Sequence, residues 1–154
     1  MGPGSPGDPR LLAHAGKLGK AIALKEWILL SGGRATGVME AVSRGAYEAG
    51  GTTIGILPGH DRQGMSEYVQ IPIVTGMGHA RNMVNVLSSD VIVICGLGAG
   101  TASEAALAVK MNKPLIATLI DPDDFQFLNR LSGTEVPCFD RVEDVIEQIE
   151  KFLE

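Results

Sequence analysis

Residues 91–104 read VIVICGLGAGTASE, an apolar run followed by a glycine-rich turn and a helical pattern. The run at 91–94 predicts a buried central strand, because a short apolar stretch bounded by a turn is typical of a strand covered on both faces. A helix is predicted directly after Thr101. Its predicted buried side consists of Ala102, Ala105, Ala106 and Val109. Strand, glycine turn and helix in this order predict one unit of a parallel α/β sheet.

The same unit repeats on both sides of this stretch. Further strands are predicted at residues 27–30, 52–57, 69–75 and 115–120, and further helices begin near residues 9, 36, 79 and 140. The stretch 69–75 contains Pro72, which lacks a backbone N–H, so we expect an edge strand or an irregular connection there. The alternation predicts a single α/β domain over residues 1–154. Its sheet should be doubly wound and mostly parallel, flanked by helices in three α/β/α layers.

Two of the predicted helices carry more detailed expectations. The helix at 79–87 has one apolar face and leaves its polar residues pointing elsewhere. The apolar face consists of Ala80, Met83, Val84 and Leu87, and the polar residues are Arg81, Asn82 and Asn85. The last helix is preceded by Asp140 with Glu143 three residues later, a spacing that resembles a capping box.

The chain opens on a glycine-rich loop, MGPGSPG at residues 1–7, which leads into a helix without a preceding strand. Every other predicted loop of this kind follows a strand. We therefore expect the first strand of the sheet to be missing or truncated here, the alternative being that the stretch is an expression scar.

Composition limits the possible functions. With 154 residues, 45% hydrophobic and 20% charged, the chain has the make-up of an ordinary globular protein. A net charge of −5 argues against broad binding to nucleic acid or anionic membranes, and no apolar run reaches the length of about 20 residues that spans a bilayer. Two distant cysteines form no disulfide framework, and residues 1–9 do not resemble a signal peptide. We expect a soluble cytoplasmic protein.

Three glycine-rich turns are candidates for binding a phosphate group. In the turn at 96–104, glycines allow close approach of the backbone, the helix N-terminus attracts an anion, and Thr101 and Glu104 can face the same mouth. In the turn at 31–37, Arg34 and Thr36 can hold anion oxygens. In the turn at 76–82, Arg81 is either a solvated charge or an anion clamp. For the first two turns, plain tight packing is the alternative.

Other chemistries are less well supported by the sequence. His79 is interpreted as a polar turn residue rather than a base or a metal ligand. No clustering of histidines, cysteines and carboxylates predicts a metal site, and the G-x-x-x-x-G-K-[ST] run of a P-loop nucleotidase is absent from the sequence.

The stretches SGG at 31–33, GMGHAR at 76–81 and GLGAGTASE at 96–104 give the chain a clear family resemblance. It resembles the molybdenum cofactor carrier proteins over nearly its whole length, from the opening MGPG loop to the last helix. The resemblance implies a Rossmann-like homo-oligomer, a dimer or tetramer, that holds phosphate-bearing molybdopterin without chemistry on it. Together, the turns and the resemblance give these candidate ligand-binding residues: Gly4, Gly32, Gly33, Arg34, Thr36, Gly37, Arg81, Asn82, Gly96, Gly98, Gly100, Thr101 and Glu104.

The wider superfamily to which the carriers belong includes the Lonely-guy-type phosphoribohydrolases, which suggests an alternative. In those enzymes a matching arginine and glutamate serve cleavage of the base from a nucleoside 5′-monophosphate, and Arg81 and Glu104 occupy these positions here. Two departures favour the carriers: residues 96–97 replace a proline and a glycine of the enzymes, and Asn82 replaces a lysine. A nucleotide-sensing module that binds an AMP-like ligand without either role is a third possibility.

Overall fold

A computed structural model describes residues 1–4 and 8–154 of the chain. Residues 5–7 of the predicted opening loop lie outside the described residues. The helices are α1 (Pro9–Leu24), α2 (Gly37–Glu48), α3 (Asn82–Leu87), α4 (Ala99–Lys110), α5 (Pro122–Ser132) and α6 (Val142–Leu153). The strands are β1 (Leu29–Ser31), β2 (Thr53–Leu57), β3 (Ile71–Val74), β4 (Ile92–Cys95), β5 (Leu115–Thr118) and β6 (Cys138–Phe139). None of the helices in the described ranges is both long and apolar enough to cross a bilayer.

The strands form two three-stranded sheets with the orders β1-β2-β3 and β4-β5-β6, and every pairing within them is parallel. Successive residues of β5 enter different hydrophobic clusters. Leu115 and Ala117 pack with α4 and α5, whereas Ile116 packs with α1 and α6. This alternation puts helices on both faces of the strands, which confirms the predicted three-layer, Rossmann-like α/β/α fold. β3, which contains Pro72, lies at a sheet edge as predicted.

The helices α1 and α2 approach each other through glycines. A Cβ atom added to Gly45 would lie 1.9 Å from the carbonyl oxygen of Gly16, and one added to Gly19 would lie 2.0 Å from that of Val42. Only residues without side chains permit this distance between the two backbones. The helix pair then buries Ala15 and Val42, among others, in a cluster that also contains Leu29 of β1.

The predicted helix at 79–87 is wrong in its orientation. It consists of a 3₁₀ turn, Gly78–Arg81, followed by the short α3. Leu87, which belongs to the predicted apolar face, is 52% exposed, while Asn85 is completely buried together with Arg81 and Asn82. The polar face is buried because Asn85 and Arg81 find a partner in Glu104 of α4. A polar contact between helices thus overrides the apolar pattern of the sequence.

Further local predictions also need correction. Helix α4 begins at Ala99, three residues earlier than expected. Its buried residues are Thr101, Glu104, Ala105 and Ala108, of which Ala105 alone belongs to the predicted stripe. Helix α5 was not predicted, although Asp121 caps its N-terminus and Pro122 occupies its first turn. The capping box at Asp140 does not form, since Arg141 is the N-cap residue of α6 and makes no side-chain capping bond.

A buried histidine on α1 makes stability depend on pH. His14 Nε2 lies 2.8 Å from Thr118 Oγ1 at the end of β5, and burial, followed by the charge of Lys17, lowers the pKa of His14 from 6.5. Below pH 6.5 the unfolded chain therefore binds the proton first. We expect the free energy of unfolding to fall on acidification, with a slope approaching about 1.4 kcal/mol per pH unit from this group.

Urea unfolding at several pH values from 7.5 to 5, compared with a His14→Gln variant, isolates this contribution because the carboxylates titrate in both proteins. The difference in unfolding free energy between the two proteins should shrink as the pH falls. A difference that is constant with pH would show that His14 titrates alike in the folded and unfolded chains.

Candidate anion-binding site

A cavity of about 640 Å³ runs along β1 and β4 and extends to the carboxyl ends of these strands. This is the edge of a parallel α/β sheet at which ligands bind. Nine of the residues predicted from the sequence line it: Gly4, Gly32, Arg34, Arg81, Asn82, Gly98, Gly100, Thr101 and Glu104. The other four candidates, Gly33, Thr36, Gly37 and Gly96, belong to the same turns but do not line the cavity. All three glycine-rich turns therefore reach one common space.

The N-terminus of α4 is the most open of the helix ends at this cavity. Gly96 turns the chain out of β4 with a φ of +68°, and Gly98, the N-cap residue, contributes no side-chain capping bond. The first-turn amides of Ala99, Gly100 and Thr101 have no acceptor within the helix. A Cβ atom added to Gly100 would meet nothing within 4 Å. Bare amides at the positive end of a 12-residue helix make a favourable place for an anion.

The N-terminus of α2 is more occupied, because the opening loop lies against it. The Val38 N–H donates to the carbonyl oxygen of Pro3 at 3.0 Å. Gly2 is closely packed as well, since an added Cβ would lie 2.5 Å from the carbonyl oxygen of Cys95. Residues 1–4 therefore run between the turn at 31–37 and the turn at 96–104. Of the two helix ends, α4 is the freer one, because residues 1–4 take one first-turn donor of α2 and none of α4.

Arg81 reaches the cavity from the 3₁₀ turn and is 9% exposed. Its guanidinium fits against Gly32, where a Cβ atom would lie 2.6 Å from Nη2 and 2.7 Å from Nη1. Burial lowers the pKa of Arg81 from its usual value, and the carboxylate of Glu104, 3.8 Å from Nη1, opposes that shift. The side chain stays cationic at neutral pH. Gly32 is thus required so that a buried cation can sit beside the turn.

The sequence interpretation did not select Asn85, which does not line the cavity but holds Glu104, a residue that does. Its Nδ2 donates to Glu104 Oε1 at 2.8 Å, and both side chains are buried. The spacing from Arg81 to Asn85 is four residues, which places both on one helical face and was a usable signal. Among the described side chains, three polar atoms are buried without a hydrogen-bond partner: Glu40 Oε2, Arg81 Nε and Asn85 Oδ1. Arg81 lines the cavity, and its unpaired Nε suits a ligand that would accept a hydrogen bond from it.

The remaining candidates belong to the turn at 31–37. Gly33 has a φ of +69°, its N–H donates to Ser31 Oγ at 3.1 Å, and an added Cβ would lie 2.8 Å from Leu57 Cδ2. Arg34 is exposed at the rim, and Thr36, also exposed, makes no capping bond to α2. Gly37 opens α2 with a φ of +56°. The turn therefore offers Arg34 as its charged group.

Fold and site together define a Rossmann-like α/β protein in which a helix N-terminus and a buried arginine face one cavity at the carboxyl ends of parallel strands. Comparison with known families agrees with that class. The model of the SLOG cluster4 family matches residues 1–146, and the chain belongs to this family.

Three known proteins are informative relatives. The molybdenum cofactor binding protein from the phototrophic bacterium Rippkaea orientalis is 48% identical, with a TM-score of 0.95, and the match covers 100% of this chain and 94% of that one. The molybdenum cofactor carrier protein from Chlamydomonas reinhardtii is 45% identical, with a TM-score of 0.92, over 99% of this chain and 95% of that one. A cytokinin riboside 5′-monophosphate phosphoribohydrolase from Mycobacterium marinum is 44% identical over 54 residues, which are 35% of this chain and 29% of the enzyme.

Proposed function

We propose that this protein binds the molybdenum cofactor and carries it, holding the phosphate of molybdopterin at the N-terminus of α4. The observation that carries the proposal is the convergence of the free α4 amides and the buried Arg81 on one cavity. Both solved relatives named above match almost the whole chain, and they are described as a molybdenum cofactor binding protein and a carrier protein.

The chemistry of the lining suits a ligand with a phosphate at one end and a polar ring system at the other. The amides of Gly100 and Thr101 donate to phosphate oxygens, and Arg81 and Arg34 supply positive charge. Asn82, whose Nδ2 lies 3.4 Å from the carbonyl oxygen of Gly100, sits at the same helix end. Glu104 accepts hydrogen bonds, which suits the N–H groups of a pterin ring. The protein then needs no group that attacks or cleaves the ligand.

The proposal is tested by the identity of the molecule that accompanies the protein. Protein purified without oxygen from cells that make the cofactor is denatured and oxidised, and the fluorescent pterin released is quantified. We expect close to one pterin per binding site, and none from cells in which cofactor synthesis is blocked. Absence of pterin from the first preparation, with properly folded protein, would contradict the proposal.

A second candidate is a phosphoribohydrolase, favoured by the presence of both Arg81 and Glu104 on the cavity wall. In this arrangement Glu104 would stabilise the oxocarbenium-like sugar or activate water, and Arg81 would orient the phosphate. Against it, Glu104 Oε1 already accepts a hydrogen bond from Asn85, which holds the carboxylate as a fixed acceptor. We expect no release of free base from AMP or N6-prenyl AMP. Turnover that disappears in a Glu104→Ala variant would overturn the carrier proposal, and AMP binding without turnover would favour a nucleotide sensor.

Recognition of the phosphate at α4 predicts that stability and binding respond in opposite directions to one substitution. In Gly100→Asp, a carboxylate in the first turn stabilises the helix by about 0.3 to 1 kcal/mol through the helix dipole. The same carboxylate repels phosphate in the cavity, so we expect the affinity for molybdopterin to fall at least about tenfold. Urea unfolding and pterin binding are measured on the same samples.

The control is Gly100→Asn, which has almost the same shape without the charge. It should retain substantially more affinity than Gly100→Asp. Equal loss in both variants would mean that bulk rather than charge matters at this position, and would contradict recognition of an anion there.

We also propose that the chain forms a homo-oligomer, a dimer or a tetramer. Between residues 71 and 87 it carries an unusual set of large apolar side chains at least 40% exposed: Ile71, Ile73, Val74, Met77 and Leu87. Ile71 and Ile73 project from the same face of β3, since alternate residues of a strand share a face. Light scattering should give a multiple of 16.2 kDa. A protein that is entirely monomeric at micromolar concentration would contradict this proposal.

A further inference from the structure

Helix α3 is joined to α4 by two polar contacts that lie about one helical turn apart. Asn82 Nδ2 lies 3.4 Å from the carbonyl oxygen of Gly100, and Asn85 Nδ2 donates to Glu104 Oε1 at 2.8 Å. The first contact is at the end of α4 where the phosphate is proposed to bind. The second lies four residues, or about 6 Å, further along that helix. The Asn85 contact therefore concerns the part of the cavity beyond the phosphate.

Asn85 is an unusual residue for its place between two helices. Its side chain is completely buried, yet Oδ1 has no hydrogen-bond partner among the described residues, and only Nδ2 is paired. Burying an unpaired acceptor costs stability that an apolar side chain of similar volume, such as leucine, would not cost. What asparagine provides here, and leucine does not, is a hydrogen-bond donor for Glu104.

The two carboxylate oxygens of Glu104 have different surroundings. Oε1 accepts the bond from Asn85 and also lies 3.8 Å from Arg81 Nη1. Oε2 accepts no hydrogen bond from the described residues, and it is not one of the buried atoms that lack a partner. Because Glu104 lines the cavity, Oε2 is the oxygen that faces its open space. A ligand beyond the phosphate site therefore meets one charged acceptor in a fixed orientation.

We propose that Asn85 is a positioning residue, which fixes Glu104 so that Oε2 accepts a hydrogen bond from the amino group of the pterin ring. This inference rests on the proposed function and names the part of the ligand that this wall of the cavity recognises. An ionised carboxylate is an acceptor only, so it pairs with an amino group and repels a carbonyl oxygen at the same place. Asn85 thereby sets a preference for an amino group over an oxo group.

The preference is measured with two ligands that differ in this one group. 6-Hydroxymethylpterin phosphate has the amino group, and the corresponding lumazine phosphate has a carbonyl oxygen in its place. Both ligands are fluorescent and both carry a phosphate, so binding at the N-terminus of α4 is common to them. We expect the whole protein to bind the pterin at least about tenfold more tightly than the lumazine, because the lumazine leaves Glu104 without its donor.

Asn85→Leu keeps the volume of the side chain and removes the donor, which frees Glu104 to turn. We expect the affinity for the pterin to fall about tenfold and that for the lumazine to change less than about threefold. A merely structural role of Asn85 would lower both affinities alike. The control is Val86→Ala, a completely buried residue of α3 that does not line the cavity. It should lower the free energy of unfolding without altering the ratio of the two affinities.

A measurement on the unaltered protein does not depend on the folding of a variant. The side-chain N–H signals of Asn85 are followed by NMR during titration with each ligand, and they should shift more with the pterin than with the lumazine. Equal shifts, equal affinities, or an affinity ratio that Asn85→Leu leaves unchanged would overturn this inference while leaving cofactor binding intact. If neither ligand binds, the proposed function itself is contradicted, and this inference with it.

Discussion

Arg81→Gln is expected to lower the affinity for molybdopterin about 100-fold, which corresponds to about 2.7 kcal/mol. Arg81 is the buried cation of the cavity, and a charge-assisted hydrogen bond to phosphate is strongest where water is excluded. In the variant, the bound phosphate would also lose its buried positive partner and stay unpaired, which adds to the loss of affinity. Glutamine keeps much of the side-chain length and can still occupy the space beside Gly32. Equilibrium binding under oxygen-free conditions, followed by pterin fluorescence, gives the change.

The control for this prediction is Arg141→Gln, which removes the same charge from a side chain that is 71% exposed at the start of α6. It should bind as tightly as the unchanged protein. Because Arg81 also neighbours Glu104, urea unfolding of Arg81→Gln must confirm that the variant is folded during the assay. A folded Arg81→Gln variant with unchanged affinity would exclude Arg81 from phosphate recognition.

The largest expected effect on stability comes from the contact between α1 and α2. In Gly45→Ala the new Cβ would lie 1.9 Å from the carbonyl oxygen of Gly16, a distance that forces the helix backbones apart. Overpacking of this kind costs up to about 3 kcal/mol, and occasionally more, whereas alanine recovers only about 1 kcal/mol through its higher helix propensity. We expect a net loss of about 2 kcal/mol in the free energy of unfolding, measured by urea denaturation.

Gly16→Ala is the matched control on the partner helix. Its Cβ would lie 3.6 Å from the carbonyl oxygen of Ala41, an ordinary contact, so the substitution should be neutral or stabilise the protein by up to about 1 kcal/mol. If Gly45→Ala lowers the free energy of unfolding and Gly16→Ala raises it, the close approach of the α1 and α2 backbones is established. Equal effects would contradict the interhelical distance described here.

The sequence is sufficient to predict the layered fold because its signals are local. The strand at 91–94, the edge position of Pro72 and the start of α1 at Asp8-Pro9 each depend on neighbouring residues, and the structure agrees with them within two residues. The orientation of α3, in contrast, is not determined by neighbouring residues. Its burial depends on Glu104, 19 residues beyond Asn85, and no helical periodicity reports a polar partner on another helix.

The candidate site, too, has features that neighbouring residues determine and features that depend on distant contacts. Glycine turns after strands predict where backbone is bare, and nine of the thirteen candidates line the cavity. Two features required the three-dimensional structure. Gly32 makes room for the Arg81 guanidinium, and Pro3 accepts from the Val38 amide in the first turn of α2, which leaves α4 as the more open helix end. Both contacts join segments more than 30 residues apart, so sequence spacing carries no trace of them.

The central claim is that the free amides of α4 hold the anion, and amide chemical shifts measured during a titration with molybdopterin test it most directly. We predict large, saturable shifts for Gly98, Gly100 and Thr101, with little change at residues 135–140 on the opposite side of β5. Saturable binding that leaves the three α4 amides unmoved would contradict this account.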